Sequence, residues 1–206
     1  MATNAKRTFD ANILRASYFL DVHEGTQSGA GAPTKPRREL PRGAIVFAIG
    51  AIDAYLCEVS AETLIAQVSQ TAARERLRDV LARVQKEVPG LALEVALLDT
   101  RQLRLARIHD SIVEYFENQT SQLGAKGVSA TVSRLGGDPA DVWSVLVQQG
   151  HTDPQKTLDQ WTDVRHQIVH QGKTPRVWRP HARSFIGFAK DLVQCVDVVL
   201  GALAQP

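Results

Sequence analysis

Apolar residues recur at intervals of three and four along most of the chain, which is the periodicity of amphipathic helices. In residues 9–23 this series runs Phe9, Ile13, Ala16, Phe19 and Leu20. Further helices are predicted in residues 43–68, 71–88 and within 97–118, then from 139 to about 149, from 154 to about 171, and in 181–203. No segment alternates as a half-buried strand does, so the pattern predicts an all-α helical bundle.

Turn and cap residues mark several boundaries of these helices. Asp138-Pro139 and Asp153-Pro154 each supply an N-cap carboxylate followed by a proline suited to the first helical turn. Gly172 is suited to the position just after a helix, so we expect the helix that begins at residue 154 to end there. Residues 24–40 are rich in Gly and Pro with a basic end, which predicts a flexible loop.

Length and composition place few limits on function. A chain of 206 residues is expected to form one domain, residues 1–206. The net charge of +2 neither requires nor excludes a nucleic-acid partner. Cys57 and Cys195 lie in apolar helical patterns, as reduced core thiols do. No uninterrupted apolar run of roughly 20 residues is present, so we expect a cytoplasmic protein without a membrane partner.

The helix that begins at residue 154 carries an arginine inside its apolar stripe. On a helical projection Arg165 falls among the apolar residues Leu158, Trp161, Val164, Ile168 and Val169. Burying a guanidinium costs several kcal/mol unless it is paired. We therefore expect Arg165 to pair with a carboxylate such as Asp53 or Glu58, or to face a subunit interface or an anion-binding groove.

Asp163, His166 and His170 share the other face of this helix, because residues three and four apart are neighbours. Such a set could ligate a metal ion, and a metal-dependent hydrolase is one alternative function. The zinc helix with two histidines at this spacing also carries a general-base glutamate beside the first histidine. Gln167 stands at that position and cannot accept a proton, so no metal site is predicted.

A second candidate set lies in residues 97–118, where Arg101, Arg104 and Arg107 follow one another at intervals of three. Arginines on one strip of a helix are suited to contact the phosphates of RNA. The alternative is a solvated face, since Asp99 and Asp110 lie nearby.

Arg165, four intervening residues and His170 at the end of a helix in an all-α chain resemble the signature of HEPN domains. His166 occupies the slot after the arginine where that family often has a polar residue. Residues 51–58, 107–110 and 136–143 are similar to the RiboL-PSP-HEPN branch. The resemblance extends over about residues 40 to 203.

This resemblance implies a metal-independent endoribonuclease that acts as a homodimer and needs no cofactor. It assigns proton transfer to His170, transition-state stabilisation to Arg165 and an auxiliary role to His166, with Gln167 and Lys173 as further RNA contacts. RNA is the implied partner. A toxin or defence effector with an antitoxin or regulatory protein is compatible with this activity. The other alternative is a non-catalytic HEPN module that binds a nucleotide or a protein.

Overall fold

A computed structural model describes residues 3–25, 34–118 and 123–203, and the regular elements in these ranges are all helices. This confirms the all-α prediction. The helices of the described ranges are α1 (Asn4–Gly25), α2 (Lys35–Ala66), α3 (Thr71–Glu87), α4 (Leu91–Leu97), α5 (Arg101–Asn118), α6 (Gly124–Leu135), α7 (Pro139–Gln148), α8 (Pro154–Val169) and α9 (Arg179–Leu203).

Helix α2 lies at the centre of the bundle and packs against α1, α5, α6, α8 and α9. It runs antiparallel to α1, because the Phe19 ring contacts Phe47 while Phe9 contacts Tyr55 further along. The two helices approach closely at Gly43, where a Cβ atom would lie only 3.0 Å from the Phe19 ring. Burial of the apolar faces of these helices supplies the main stabilising free energy of the fold.

By length and composition, α2 is the one helix in the described ranges that could cross a membrane. However, 67% of its most apolar window is buried inside the bundle. Its residues Ile45, Ile49, Ile52 and Leu56 belong to the common core. The apolar character of α2 is therefore explained by its packing against the surrounding helices.

The prediction of a flexible loop over residues 24–40 is wrong at both ends of that range. Helix α1 continues to Gly25, and α2 begins at Lys35. Pro36 occupies the first turn of α2, where its fixed φ angle suits a helix and its missing N–H group costs nothing. Residues 26–33 lie outside the described ranges.

Helix α6 was not predicted, because Gly, Ser, Thr and Val are poor helix formers. Tertiary packing stabilises it nonetheless. Val128, Val132 and Leu135 recur at helical spacing and are buried. The carboxylate of Asp159 on α8 accepts a hydrogen bond from the backbone N–H of Ala125 at 2.7 Å. The first turn of α6 is thereby fixed to the helix that carries the arginine–histidine pair.

Candidate active site

The N-terminal half of α8 fixes that helix to the bundle. Asp153 caps it by accepting a hydrogen bond from the backbone N–H of Lys156 at 3.1 Å, as the sequence predicted. Leu158 is 1% exposed, and the Trp161 ring lies 5.5 Å from that of Phe185 on α9. These contacts fix the direction in which the following turns present their side chains.

The structure brings Arg165 and His170 together at the C-terminal end of α8. Helix α8 ends at Val169, and the backbone N–H of His170 bonds to the carbonyl of His166 at 3.0 Å. Nη1 of Arg165 lies 3.1 Å from Nε2 of His170. A guanidinium has no acceptor atom and keeps its protons, so Nε2 must accept this hydrogen bond.

The contact joins two residues that an ideal helix would keep apart. On an ideal helix, residues five apart point in directions about 140° apart. The contact forms within one chain, because His170 is the cap residue and the long arginine side chain reaches it.

His166 belongs to the same cluster, and its ring centroid lies 5.1 Å from that of His170. Both rings are exposed to solvent. The side-chain amide of Gln167 donates to the Asp163 carboxylate at 2.7 Å. The backbone carbonyl of Gln167 accepts from the backbone N–H of Lys173 at 3.0 Å. The side chain of Lys173 is exposed beside this turn. The residues Asp163, His166, Gln167, His170 and Lys173 therefore lie together at the end of α8.

The alternative metal site has no support from the side-chain positions. In the part of the chain that the structure describes, no three His, Cys, Asp or Glu side chains form a group that could hold a metal ion. Asp163 is directed to the Gln167 amide. The pair of His166 and His170 thus lacks a third ligand there.

Asp53 on α2 is the carboxylate that interacts with Arg165, but the two do not form a direct ion pair among the described residues. Burial raises the pKa of Asp53; the charge of Arg165 opposes this increase, and Glu117 adds to it. The sequence named Asp53 as a candidate partner of the arginine. Asp53 therefore acts on Arg165 through its charge, while the guanidinium itself contacts His170.

The arginine strip on α5 is largely used in local contacts. Arg107 forms an ion pair with Glu94 at 2.8 Å and also donates to Ser111. Nε of Arg104 donates to the Leu98 carbonyl at 2.8 Å. Arg101 is exposed. Arg107 is therefore a weaker candidate for phosphate binding than its spacing suggested, because Glu94 already neutralises its charge.

Sequence reasoning missed Arg42, which fixes the segment that follows the motif. Nε of Arg42 donates to the Pro175 carbonyl at 2.8 Å, and Nη2 donates to the Thr174 carbonyl at 2.9 Å. These partners are more than 130 residues away along the chain. No local pattern marks such a contact, so the sequence held no signal for it.

The two cysteines are free and buried, which confirms their predicted place in the core. Burial and the nearby carboxylates of Asp53, Glu117 and Glu58 raise the pKa of Cys57 to about 12. Burial also raises the pKa of Cys195. Because the thiolate is the reactive form, neither cysteine is suited to nucleophilic chemistry near neutral pH.

In comparisons with known proteins, the chain matches no family model, no curated protein and no solved structure. The resemblance to HEPN domains therefore depends on the motif and its helical setting in this chain.

Proposed function

We propose that this protein is a metal-independent endoribonuclease of the HEPN type, with Arg165 and His170 at its reactive centre. The observation that carries the proposal is the 3.1 Å contact between Nη1 of Arg165 and Nε2 of His170. It places a permanent cation beside an unprotonated imidazole nitrogen at an exposed helix end. Such a pair has the two components that RNA cleavage by its own 2′-hydroxyl requires.

In the proposed reaction, Nε2 of His170 takes the proton of the ribose 2′-hydroxyl. The 2′-oxygen forms a bond to phosphorus, and the bond from phosphorus to the 5′-oxygen breaks. The leaving oxygen takes a proton from the solvent-exposed His166 or from water. The products are a 2′,3′-cyclic phosphate and a 5′-hydroxyl end. Arg165 stabilises the charge that develops on the phosphorane oxygens.

Substrate binding must first break the contact between the two residues, since Nε2 cannot accept from Arg165 and from a hydroxyl along the same lone pair. A phosphate offers the guanidinium a stronger, charge-assisted acceptor than an imidazole does. We therefore infer that the bound phosphate draws Arg165 away and frees Nε2.

We also propose that the protein acts as a homodimer through the end of α8. Val169 is 46% exposed and Ile168 is half-buried, and both lie next to the motif residues. A two-fold contact would cover these apolar side chains and enclose the motif in a groove. Light scattering should give the mass of a dimer, and Val169→Asp should shift it toward the monomer. A wild-type monomer at micromolar concentration would contradict this part of the proposal.

Substitutions of the motif residues are expected to have separable effects on the rate of RNA cleavage, measured in the presence of a chelator. His170→Ala should lower the rate on the order of a hundredfold or more, the range of general acid–base catalysis, with little change in RNA affinity. Arg165→Lys should also lower the rate, because lysine keeps the charge but not the planar fork that holds two phosphate oxygens. His166→Ala should give an intermediate loss, since water replaces an auxiliary proton donor in part.

His181→Ala is the matched control, because His181 is an exposed histidine in the first turn of α9 outside the motif. It should cleave RNA at the wild-type rate. If folded Arg165→Lys and His170→Ala proteins also cleaved at that rate, the non-catalytic module would become the better proposal. Loss of wild-type activity in the chelator would instead favour a metal-dependent reaction.

A further inference from the structure

A cavity of about 360 Å³ lies beside the N-terminal half of α8. It is bounded by α8, by α9 and by the turn of residues 150–153, and it is separate from the motif residues. Its size lies toward the lower end of the range of about 300–1,000 Å³ found for small-molecule sites.

Four rings border this cavity. Trp161 lies 5.5 Å from Phe185, whose ring stacks on that of Phe188 at 5.9 Å. His151 meets Phe188 edge-on at 5.2 Å and is held there by the Asp191 carboxylate, 3.0 Å from Nε2. Phe185 and Phe188 are almost fully buried, so the rings that a ligand can stack on are the partly exposed ones of Trp161 and His151. The buried phenylalanines hold these two rings in place, which lowers the side-chain entropy lost when a ligand stacks on them.

Polar side chains without partners line the rim. Within the described ranges, the side chains of Lys156, Gln160 and Ser184 form no hydrogen bond or ion pair, and all three are exposed. Lysine only donates hydrogen bonds, whereas glutamine and serine both donate and accept. The rim therefore matches a planar ligand whose edge carries donors and acceptors together.

We propose that this cavity binds a nucleobase of the RNA substrate, close to the phosphate that is cleaved. A nucleobase combines a stacking face with an edge of donors and acceptors, and unpaired RNA bases are recognised in this way. The site rests on the proposed ribonuclease function. It gives that function a substrate class, unpaired RNA, and a group of residues that select the base.

The position of the cavity along α8 supports this assignment. Trp161 borders the cavity and precedes Arg165 by four residues, so the two side chains are neighbours on successive turns of the helix. A base in the cavity would therefore place an adjoining phosphate on the side of Arg165. The same rigid helix would then position both groups.

Filling the cavity tests the proposal without removing a core residue. Ser184→Trp places a large ring at the rim, and Gln194→Trp on the exposed face of α9 is the matched control. The bases at the cut sites would be identified by sequencing the cleavage products of random-sequence RNA. Wild type and Gln194→Trp should show the same preference for a base, and Ser184→Trp should lose it. Gln160→Ala should change which base is preferred.

Binding provides a readout that does not depend on cleavage. In proteins that also carry His170→Ala, Ser184→Trp should weaken binding of a short random-sequence RNA by about tenfold, and Gln194→Trp should not. Unchanged affinity and unchanged base preference in Ser184→Trp would overturn the site. AMP, GMP, CMP and UMP would be titrated in parallel. If one of these nucleotides binds to the wild type but not to Ser184→Trp, while RNA affinity and base preference stay unchanged, the assignment to substrate RNA is also overturned.

The two proposals can fail separately. If the wild type cuts no RNA but Ser184→Trp still weakens RNA binding relative to Gln194→Trp, the base site stands and the ribonuclease proposal fails. If RNA is cut and only the motif variants alter cleavage, the ribonuclease proposal stands and the base site fails.

Discussion

The two halves of α8 differ in how they use the same helical pattern. The first half is capped by Asp153 and buries Leu158, and the ring of its Trp161 packs against Phe185. The second half ends in exposed His166, Val169 and His170, with Arg165 only half-buried. The first half fixes the helix to the bundle. The second half exposes the arginine and histidine side chains, which a fully packed helix would cover.

This difference explains why an arginine lies in an apolar stripe. The stripe is buried at its start and opens toward solvent at its end, so the guanidinium does not bear the full cost of burial. Asp53 interacts with Arg165 through its charge, and His170 supplies an acceptor for the guanidinium. The arrangement leaves the Arg165 guanidinium partly exposed and accessible to an anion.

The largest expected effect is a difference in stability between substitutions in the two halves of α8. Leu158→Ala should lower the free energy of unfolding by about 2–5 kcal/mol, because it removes a fully buried side chain and leaves a cavity. Val169→Ala, in the exposed half, should change the free energy of unfolding of the monomer by no more than about 0.5 kcal/mol, at a protein concentration where light scattering shows the monomer. Urea unfolding of both variants under the same conditions would measure the difference. Equal losses would mean that the end of α8 is packed as tightly as its start.

A smaller, pH-dependent effect on stability tests the interaction between Asp53 and Arg165. The pKa of Asp53 is raised in the folded protein, chiefly by burial, so folding favours its protonated form. Its favourable contribution is present at pH values below the pKa of the unfolded chain and is lost as the pH rises through the folded pKa. Asp53→Asn should therefore stabilise the protein near neutral pH, and this gain should vanish in acid.

Asp79→Asn is the control for that measurement, because Asp79 is exposed on α3. It should leave the dependence of stability on pH close to that of the wild type. A destabilised Asp53→Asn protein at neutral pH would show that attraction to Arg165 outweighs the cost of burying the carboxylate. The position of Arg165 would then depend on an ion pair with α2.

The sequence predicted local features of the fold and site better than distant contacts. Asp153-Pro154 correctly marked the start of α8, since a cap acts over one helical turn. Arg165 and His170 were found by their spacing, but their contact depends on side-chain reach at the last turn. The bonds of Arg42 to Thr174 and Pro175, and the ring contact of Trp161 with Phe185, join residues far apart in sequence. Helical periodicity carries no information on such contacts.

The most direct test of the proposed chemistry is cleavage of an RNA that lacks one 2′-hydroxyl. The main cut site would be mapped first in a chelator, and the nucleotide on its 5′ side would then be replaced by its 2′-deoxy form. We expect cleavage at that position to disappear, while other cut sites on the same strand persist and end in 2′,3′-cyclic phosphates. Unchanged cleavage at the deoxy position would contradict the account, because the nucleophile would then not be the 2′-hydroxyl that His170 is proposed to deprotonate.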